Sequence, residues 1–356
     1  MEIKRESIAR SAFRSFCRML AGLVGLLIGL IIIGAVVTVL SRPQSIAEKT
    51  QMVISPDANG SRALLPRSTP AILKINIHGF IGSKDLNIKT MQSQLFDSRE
   101  GALKQDRVKG VLLHISSPGG TAFDGEQIYE AIKHYKEKYQ VPVYAYVNGL
   151  CASAAYFIAC SADKIYSPPV GLIGSIGVRL GPNFNVAKLM ERHGIKEMTI
   201  TEGKHKDILS PFREWKPDEA QSLIDIAASD YALFVDRVTT ARPRLDKEKL
   251  IHVYGAQIFD PDRAEEYGYI DRSNSSYRET LTDLVNAAKI EGEYQVVELK
   301  VTRPVFSEFM EGKSPMITGK IEHELSFPSA LNPELSGRSL YLYSPALQWP
   351  DSYETQ

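Results

Sequence analysis

The sequence predicts an α/β fold with a mainly parallel sheet, preceded by one transmembrane helix. Strand and helix patterns alternate from residue 70 onwards, and strands that alternate with helices form a mainly parallel sheet covered by helices. Before them, residues 19–40 form an apolar run without a charged residue, which is long enough to cross a bilayer as one helix. The chain of 356 residues therefore divides into an anchor and either one large domain or two modest ones.

The composition and the motifs argue against three kinds of partner. The chain has 42 basic and 42 acidic residues, whereas a nucleic-acid-binding domain usually carries an excess of basic residues. Its 7 histidines and 3 cysteines show neither H-E-x-x-H nor a zinc spacing, and the glycine-rich run 171–178 fits neither the dinucleotide pattern nor the P-loop. We therefore expect no nucleic acid, no metal and no cofactor.

The N-terminal segment 1–18 is predicted to be cytoplasmic, because its basic residues outnumber its acidic ones and positive charge favours that side of an anchor. The run 19–40 is followed by S-R-P rather than by a small-x-small cleavage site, so we expect a retained membrane anchor. A linker at 41–69, with several Ser, Pro and charged residues, then leads to the main domain. In a bacterial inner membrane, that domain would be periplasmic or extracellular.

The predicted elements of the domain alternate along the chain. In order, they are a strand at 71–81, a helix at 88–104, a strand at 108–116, a helix at 125–139, a strand at 141–147, a helix from about residue 153, a short strand from residue 164 and a helix at 185–193. One face of the 125–139 helix carries Ile128, Ile132 and Tyr135. This spacing is typical of a helix that packs on a sheet.

Ser153 is the first candidate catalytic residue. The apolar strand at 143–147 is expected to end at the turn pair Asn148-Gly149, so that Ser153 falls at the start of the helix that follows. Free backbone N–H groups and the positive end of the helix dipole gather there, which suits a nucleophilic hydroxyl. A plain N-cap serine is the alternative interpretation. Cys151 is a second possible nucleophile, although a small buried thiol is its commoner role.

Gly119 and Gly120 are predicted to lie beside Ser153. The S-P-G-G motif at 117–120 and the loop at 148–153 both follow predicted strands, and ligands gather at the carboxyl ends of the strands of a parallel sheet. Glycine lets a backbone N–H approach the oxyanion that develops in acyl transfer. The alternative is that Pro-Gly-Gly forms only a turn.

Five motifs, taken in order, resemble those of one protease family. They are S-P-G-G at 117–120, N-G-x-x-A-S-x-x-Y-x-I-A at 148–159, A-D-K-I at 162–165, G-S-I-G-V at 174–178 and H-K-D-x-x-S-P-x-R at 205–213. This succession is similar to the signal peptide peptidase A family, the membrane-anchored S49 serine proteases, over about residues 70–290. The resemblance implies a ClpP/crotonase-like fold of repeated ββα units and a serine endopeptidase that cleaves remnant signal peptides and other short or unfolded peptides.

The resemblance also implies a Ser–Lys dyad. By position, the roles are nucleophile for Ser153, general base for Lys206, orientation of the lysine amine for Ser175, and lining of the oxyanion hole for Gly119, Gly120 and the backbone N–H of Ala154. The alternative interpretation of the polar loop around Lys206 is a solvated cluster of charges.

Lys206 is expected to be buried only in an assembly. A lysine accepts a proton only when it is neutral, which requires its pKa to fall from about 10.4 towards 7–8 through burial, yet residues 204–207 are polar. In short, single-repeat members of the family, the serine of one subunit meets the lysine of the next in a ring or dome. We therefore expect a homo-oligomer whose active sites are shared between protomers.

The sequence departs from the family at Ala154-Ala155, where Gly-Gly is usual, and the added methyl groups are expected to narrow the space beside Ser153. Two other functions stay open. One is a catalytically silent membrane scaffold of the same fold. The other is a crotonase-type enzyme acting on acyl-CoA thioesters, which needs an acidic base near the crevice and a cytoplasmic supply of CoA.

Residues 291–356 are expected to form a C-terminal extension to the 70–290 peptidase domain. The run Q-V-V-E-L-K-V at 295–301 suggests one strand, after which repeated prolines interrupt any long element. We expect the extension to line an oligomer interface or to lie in the substrate groove as an autoinhibitory peptide.

Overall fold

The computed structural model describes residues 8–40, 49–302 and 340–342. The chain divides into two units, residues 1–49 and residues 50–356. The first contains helix α1 (Ile8–Leu40). Within α1, Phe13–Gly34 has a mean hydropathy of 2.5 and is long enough to cross a membrane. The expected apolar helix is therefore present, and it begins before the predicted anchor.

One mixed sheet organises the second unit. Its described strands are β1 (Lys49–Ser55), β2 (Ala71–Ile81), β3 (Val108–Thr121), β4 (Val143–Ala152), β5 (Lys164–Tyr166), β6 (Leu172–Gly174), β7 (Ile258–Phe259), β8 (Gln295–Thr302) and β9 (Leu340–Leu342). Their order across the sheet is β1-β8-β2-β3-β4-β6-β7, with β5 paired to β4 and β9 to β3. β2 is parallel to β3 and β8, and β4 is parallel to β3, β5 and β6. The predicted α/β class with a mainly parallel sheet is confirmed.

Helices cover both faces of this sheet. The described helices are α2 (Ile88–Asp97), α3 (Ala122–Tyr139), α4 (Ala154–Ala159), α5 (Ala187–Arg192), α6 (Gln221–Ala241), α7 (Lys247–Lys249), α8 (Pro261–Glu266) and α9 (Tyr277–Ala287), with a 3-10 turn at Gly101–Leu103 and a π-helical turn at Leu250–Tyr254. The larger core lies under α2, α3, α4 and α6, and it contains the predicted apolar face of α3. On the other face, Leu281 and Leu284 of α9 pack with Ile72 and Leu112 of the sheet.

Two strands outside the predicted 70–290 domain belong to its sheet. β1 lies within the predicted linker 41–69, and β8 lies within the predicted extension 291–356. β8 pairs with the start of β2, and Glu298 of β8 accepts hydrogen bonds from Ser55 of β1 and Lys74 of β2. The sequence pattern missed this arrangement because it shows that a segment is extended but does not show which distant strand it joins.

The predicted helix at 88–104 is also too long. α2 ends at Asp97, and Gly101 then takes a φ of 54°, in the left-handed region that an α-helix cannot continue through. Asn87 caps the start of α2 by accepting hydrogen bonds from the N–H groups of Lys89 and Thr90. The helix is therefore limited at both ends by local backbone chemistry.

Candidate active site

Ser153 lies at the junction between strand β4 and helix α4. β4 does not end at Asn148-Gly149 as predicted, because the strand goes on to pair with β6, with Ala152 opposite Gly174. Gly149 takes a φ of 93°, which costs glycine little and lets these residues stay within the strand. Pairing with a neighbouring strand has therefore overridden a local turn signal.

The backbone of Ser153 is strained and held from both sides. Its φ of 57° and ψ of −120° lie in a sparsely populated region for a residue with a side chain. Its N–H donates to the carbonyl oxygen of Gly174 at 2.9 Å, and its own carbonyl accepts from the N–H of Phe157 at 2.9 Å. These two bonds fix the residue between sheet and helix.

The Ser153 hydroxyl has no structural task in the described part of the chain. The side chain caps no helix N–H, so the plain N-cap interpretation is wrong. Ser153 is only 1% exposed, and its Oγ has no hydrogen-bond partner among the described residues. A buried, unsatisfied polar group costs about 1–3 kcal/mol, and strained residues of this kind cluster at functional sites.

Helix α4 is buried along its whole length. The methyl groups of Ala154 and Ala155 belong to the larger core. The N–H of Ala154 lies in the first turn, where an α-helix supplies no internal acceptor. It is therefore suited to donate to an oxyanion formed at Ser153.

The S-P-G-G motif lies at the end of strand β3 rather than after it, and it does not form the alternative turn. Ser117 pairs with Cys151 of β4, and Gly120 pairs with Ile81 of β2. A Cβ on Gly120 would lie 1.9 Å from the Ile81 carbonyl oxygen, so the two strands can approach this closely only at a glycine. Gly119 donates its N–H to Ser117 Oγ at 3.1 Å.

A short strand lies along the end of β3, beside the site. β9 pairs antiparallel with β3, placing Leu342 opposite Gly119 and Leu340 opposite Thr121. β9 also lies close to α3 and α4, and α4 begins directly after Ser153. The end of β3 therefore accepts an extended segment by backbone pairing, which is one of the general ways in which proteins bind peptides.

Ser175 lies beside Ser153, because each serine directly follows one member of the paired residues Ala152 and Gly174. Ser175 is buried, its φ is 55°, and its N–H donates to the carbonyl of Gln257 at 2.8 Å. A Cβ on Gly174 would lie 2.5 Å from the same carbonyl oxygen. Both serines are therefore held on tight, strained backbone at the ends of neighbouring strands.

Lys206 lies on an exposed loop between α5 and α6. In the described part of the chain, its amine forms no ion pair and no hydrogen bond to either serine. The structure therefore brings together Gly119, Gly120, Ser153, Ala154 and Ser175, but not Lys206.

The segment around Lys206 exposes many large apolar side chains. They are Phe184, Leu189, Ile195, Met198, Ile200, Phe212, Ile224 and Ile226. Met198 and Ile200 are the extremes, at 85% and 90% exposed. Such exposure on a protein surface is typical of an interaction site.

A cluster of charged residues that the sequence left without a role follows Lys206. Arg213 Nε donates to the Asp207 carboxylate at 2.6 Å, and Arg213 Nη1 donates to the Glu219 carboxylate at 2.9 Å. The guanidinium holds the pKa of Asp207 below its usual value and lowers the pKa of Glu219 to about 2. Asp207 is therefore not part of a merely solvated cluster. The even spacing of the three residues was visible in the sequence, but spacing alone does not distinguish a clamp from solvated charges.

The buried thiols are poorly suited to nucleophilic attack. Cys151 lies in β4 and Cys160 follows α4, and both are free and buried. Burial raises the pKa of Cys151 well above its usual value and that of Cys160 to about 12, whereas the reactive form is the thiolate. Among the described residues, no group of three His, Cys, Asp or Glu side chains is arranged to hold a metal ion.

Two family models match the part of the chain that carries this site. The model of peptidase family S49 matches residues 135–291, and the Clp protease model matches residues 84–169. The first range contains Ser153, Ser175 and Lys206, and the second contains Gly119 and Gly120. The two matches overlap across β4 and α4.

Relatives occur in bacteria, archaea and plants. A putative signal peptide peptidase of Enterococcus faecium is 29% identical over 238 residues, which make up 65% of this chain and 68% of that protein. A putative protease of Methanocaldococcus jannaschii is 36% identical over 47% of this chain and 53% of its own length. A chloroplastic serine protease of Arabidopsis thaliana is 31% identical over 50% of this chain and 26% of its own length. The chain thus spans from about a quarter to about two thirds of these relatives.

Two solved structures resemble the chain more loosely. A ClpP1 mutant from Listeria monocytogenes gives a TM-score of 0.36 at 15% identity, covering 58% of this chain and 94% of that one. A mutant of a membrane-bound stomatin-specific protease gives a TM-score of 0.38 at 15% identity, covering 67% of this chain and all of that one.

Proposed function

We propose that the chain is a serine protease of the type found in peptidase family S49, and that it is an endopeptidase anchored in a membrane by α1. The observation that carries this proposal is the state of Ser153: a strained backbone, a buried Oγ without a partner, and the Gly119-Gly120 strand end beside it. A structural serine would normally use its hydroxyl in a hydrogen bond. Ser153 instead keeps it available for reaction.

In the proposed mechanism, Lys206 in its neutral form takes the proton of Ser153 as Oγ attacks the carbonyl carbon of the scissile peptide bond. The backbone N–H groups near Gly120 and Ala154 stabilise the negative charge that develops on the carbonyl oxygen. The C–N bond then breaks, the lysine returns its proton to the leaving amine, and a water molecule hydrolyses the acyl-enzyme. Ser175 orients the lysine amine.

In the described part of the chain no hydrogen bond joins Lys206 to Ser153, which supports completion of the site by a second copy of the chain. Lys206 is exposed, and the surrounding segment exposes apolar side chains such as Met198 and Ile200. Burial of these side chains between protomers would supply both the driving force for assembly and the desolvation that a lysine base needs. We therefore propose a homo-oligomer in which the lysine of one protomer serves the serine of its neighbour.

The proposed substrates are short or unfolded peptides, including remnant signal peptides, bound in extended form along the end of β3. The pairing of β9 with Gly119–Thr121 supports this binding mode, because any peptide backbone can make the same ladder. The excess of basic residues before α1 supports a cytoplasmic N-terminus, with the protease domain periplasmic or extracellular at the inner membrane.

The test compares the full-length protein in detergent with its Ser153→Ala variant on a signal-peptide mimic and on an unfolded protein. We expect cleavage to fall on the order of 10³-fold or more, because the covalent step is lost. Ser161→Ala is the matched control, since Ser161 is also buried but its Oγ already donates to the carbonyl of Ile158 at 2.7 Å.

Three other outcomes would contradict the proposal. Equal cleavage by the parent and Ser153→Ala would show that Ser153 is not the nucleophile. An inert parent that still forms a discrete oligomer would favour a silent scaffold. Hydrolysis of acyl-CoA thioesters without peptide cleavage would favour a crotonase-type enzyme.

A further inference from the structure

Arg213 forms a clamp around the loop that carries Lys206. Its Nε and Nη2 donate to the side chain and the carbonyl of Asp207, at 2.6 Å and 2.9 Å. Its Nη1 and Nη2 donate to the two carboxylate oxygens of Glu219, at 2.9 Å and 2.5 Å. One planar guanidinium therefore joins the residue directly after Lys206 to the turn that precedes α6.

Glu219 completes the clamp. Its side chain is 2% exposed, and besides Arg213 it accepts the backbone N–H groups of Leu209 and Lys216, each at 2.7 Å. On the other side, Asn185 donates to the carbonyl of Arg213 at 2.7 Å, which ties the clamp to the start of α5. The loop is thus exposed at Lys206 but firmly fixed just beyond it.

The clamp also controls the charge closest to Lys206 along the chain. The Asp207 carboxylate is bonded to Arg213, and in the described part of the chain it forms no ion pair with Lys206. A free carboxylate beside a lysine favours the protonated amine, which cannot act as a base. The other charged or titratable side chains of α5, of this loop and of the start of α6 are Lys188, Glu191, Arg192, His193, Lys196, Glu197, Glu202, Lys204, His205, Glu214, Lys216, Asp218 and Asp225.

We propose that Arg213 is a positioning residue for Lys206: it fixes the lysine loop and occupies the neighbouring Asp207 carboxylate, so that the lysine can lose its proton once a second copy covers it. This inference rests on the proposed function, in which Lys206 is the base. Arg213 acts through Lys206 and Asp207, and it needs no contact with the substrate.

Two single substitutions should move the pH profile in opposite directions. Arg213→Gln releases the Asp207 carboxylate, which stabilises the lysine ammonium, so the acidic limb of the kcat/KM profile should move to higher pH by on the order of one unit. Asp207→Asn removes the carboxylate but keeps the Arg213–Glu219 bonds, so the limb should move to lower pH. The double variant should return the limb towards its original position. A purely structural role would lower kcat without these shifts.

The experiment measures kcat/KM from pH 5 to 10 for the full-length protein, the three variants above, Arg213→Lys and Lys206→Ala, with oligomeric state checked by size-exclusion chromatography. Arg272→Gln is the matched control, because Arg272 pairs with Asp283 at 3.1 Å and lies apart from this loop in the sequence. It should leave the limb unmoved. Arg213→Lys should retain only part of the parent's activity, since an ammonium group cannot make both bidentate contacts.

The outcomes separate this inference from the proposed function. Loss of activity in Lys206→Ala with the opposite shifts supports both. A second outcome is that Lys206→Ala loses activity while Asp207→Asn, which keeps the Arg213–Glu219 bonds, leaves the acidic limb unmoved. That outcome overturns the role of Arg213 and leaves the proposed function standing. Full activity in Lys206→Ala overturns both.

Discussion

Ser153 and Lys206 lie in opposite environments. Ser153 is 1% exposed, sits where two parallel strands end, and is held by backbone hydrogen bonds to Gly174 and Phe157. Lys206 is exposed on a loop that the Arg213 clamp fixes, and the same stretch of the chain leaves large apolar side chains exposed. The surroundings of the proposed nucleophile are therefore complete within one chain, whereas those of the proposed base are not.

In the proposed mechanism, folding alone positions the nucleophile, whereas assembly completes the surroundings of the base. A nucleophile with a strained backbone needs surroundings that fix its position, and the sheet provides them. A lysine base needs desolvation, which an exposed loop provides only when another surface covers it. The exposed apolar side chains around Lys206 in the sequence are suited to bind the surface of a second protomer.

The largest expected effect on stability concerns the strands that hold Ser153. Gly120→Ala places a Cβ 1.9 Å from the Ile81 carbonyl oxygen, so β2 and β3 must separate, and we expect the free energy of unfolding to fall by about 3 kcal/mol or more. Gly203→Ala in the lysine loop meets no atom within 4 Å and bears only the strain of a φ of 99°, so about 1 kcal/mol is expected.

Chemical denaturation of both variants in the same detergent measures this contrast. A larger loss of unfolding free energy in Gly120→Ala than in Gly203→Ala would confirm that the backbone beside Ser153 is tightly packed and the loop of Lys206 is not. Equal losses would show that the two regions do not differ as described.

A smaller effect concerns the occupant of the β3 edge. Deletion of residues 315–356 removes β9, which pairs with Gly119–Thr121, so the edge becomes available and cleavage of short peptides should rise several-fold. The matched control ends after Leu342 and keeps β9. Unchanged activity and assembly in the longer deletion would rule out an autoinhibitory role for the extension.

The sequence predicted which residues meet around Ser153 better than it predicted the extent of the strands that carry them. Ser153, Gly119 and Gly120 were found because a strand pattern and a small-residue helix pattern meet there. The extent of β3 and β4 was missed, because Pro-Gly-Gly and Asn148-Gly149 carry strong local turn signals that pairing with β2 and β6 overrides. Local propensity cannot report a distant partner strand.

Lys206 was singled out only through resemblance. No periodicity singles out Lys206, and its loop reads as a solvated cluster of charges. The clamp by Arg213 depends on a turn that brings residues 207 and 219 to the same guanidinium, which composition does not reveal. In the proposed assembly, Lys206 contacts a neighbouring protomer, and the fold of a single chain does not show that contact.

The most direct test of the central claim mixes two inactive chains. Ser153→Ala supplies Lys206 and Lys206→Ala supplies Ser153, with different affinity tags to show that both enter one oligomer. If sites are shared between protomers, about a quarter of the sites in a random ring of equal parts should receive both residues, and peptide cleavage should return. If mixed oligomers form but no cleavage returns, the dyad does not form between chains and the account is contradicted.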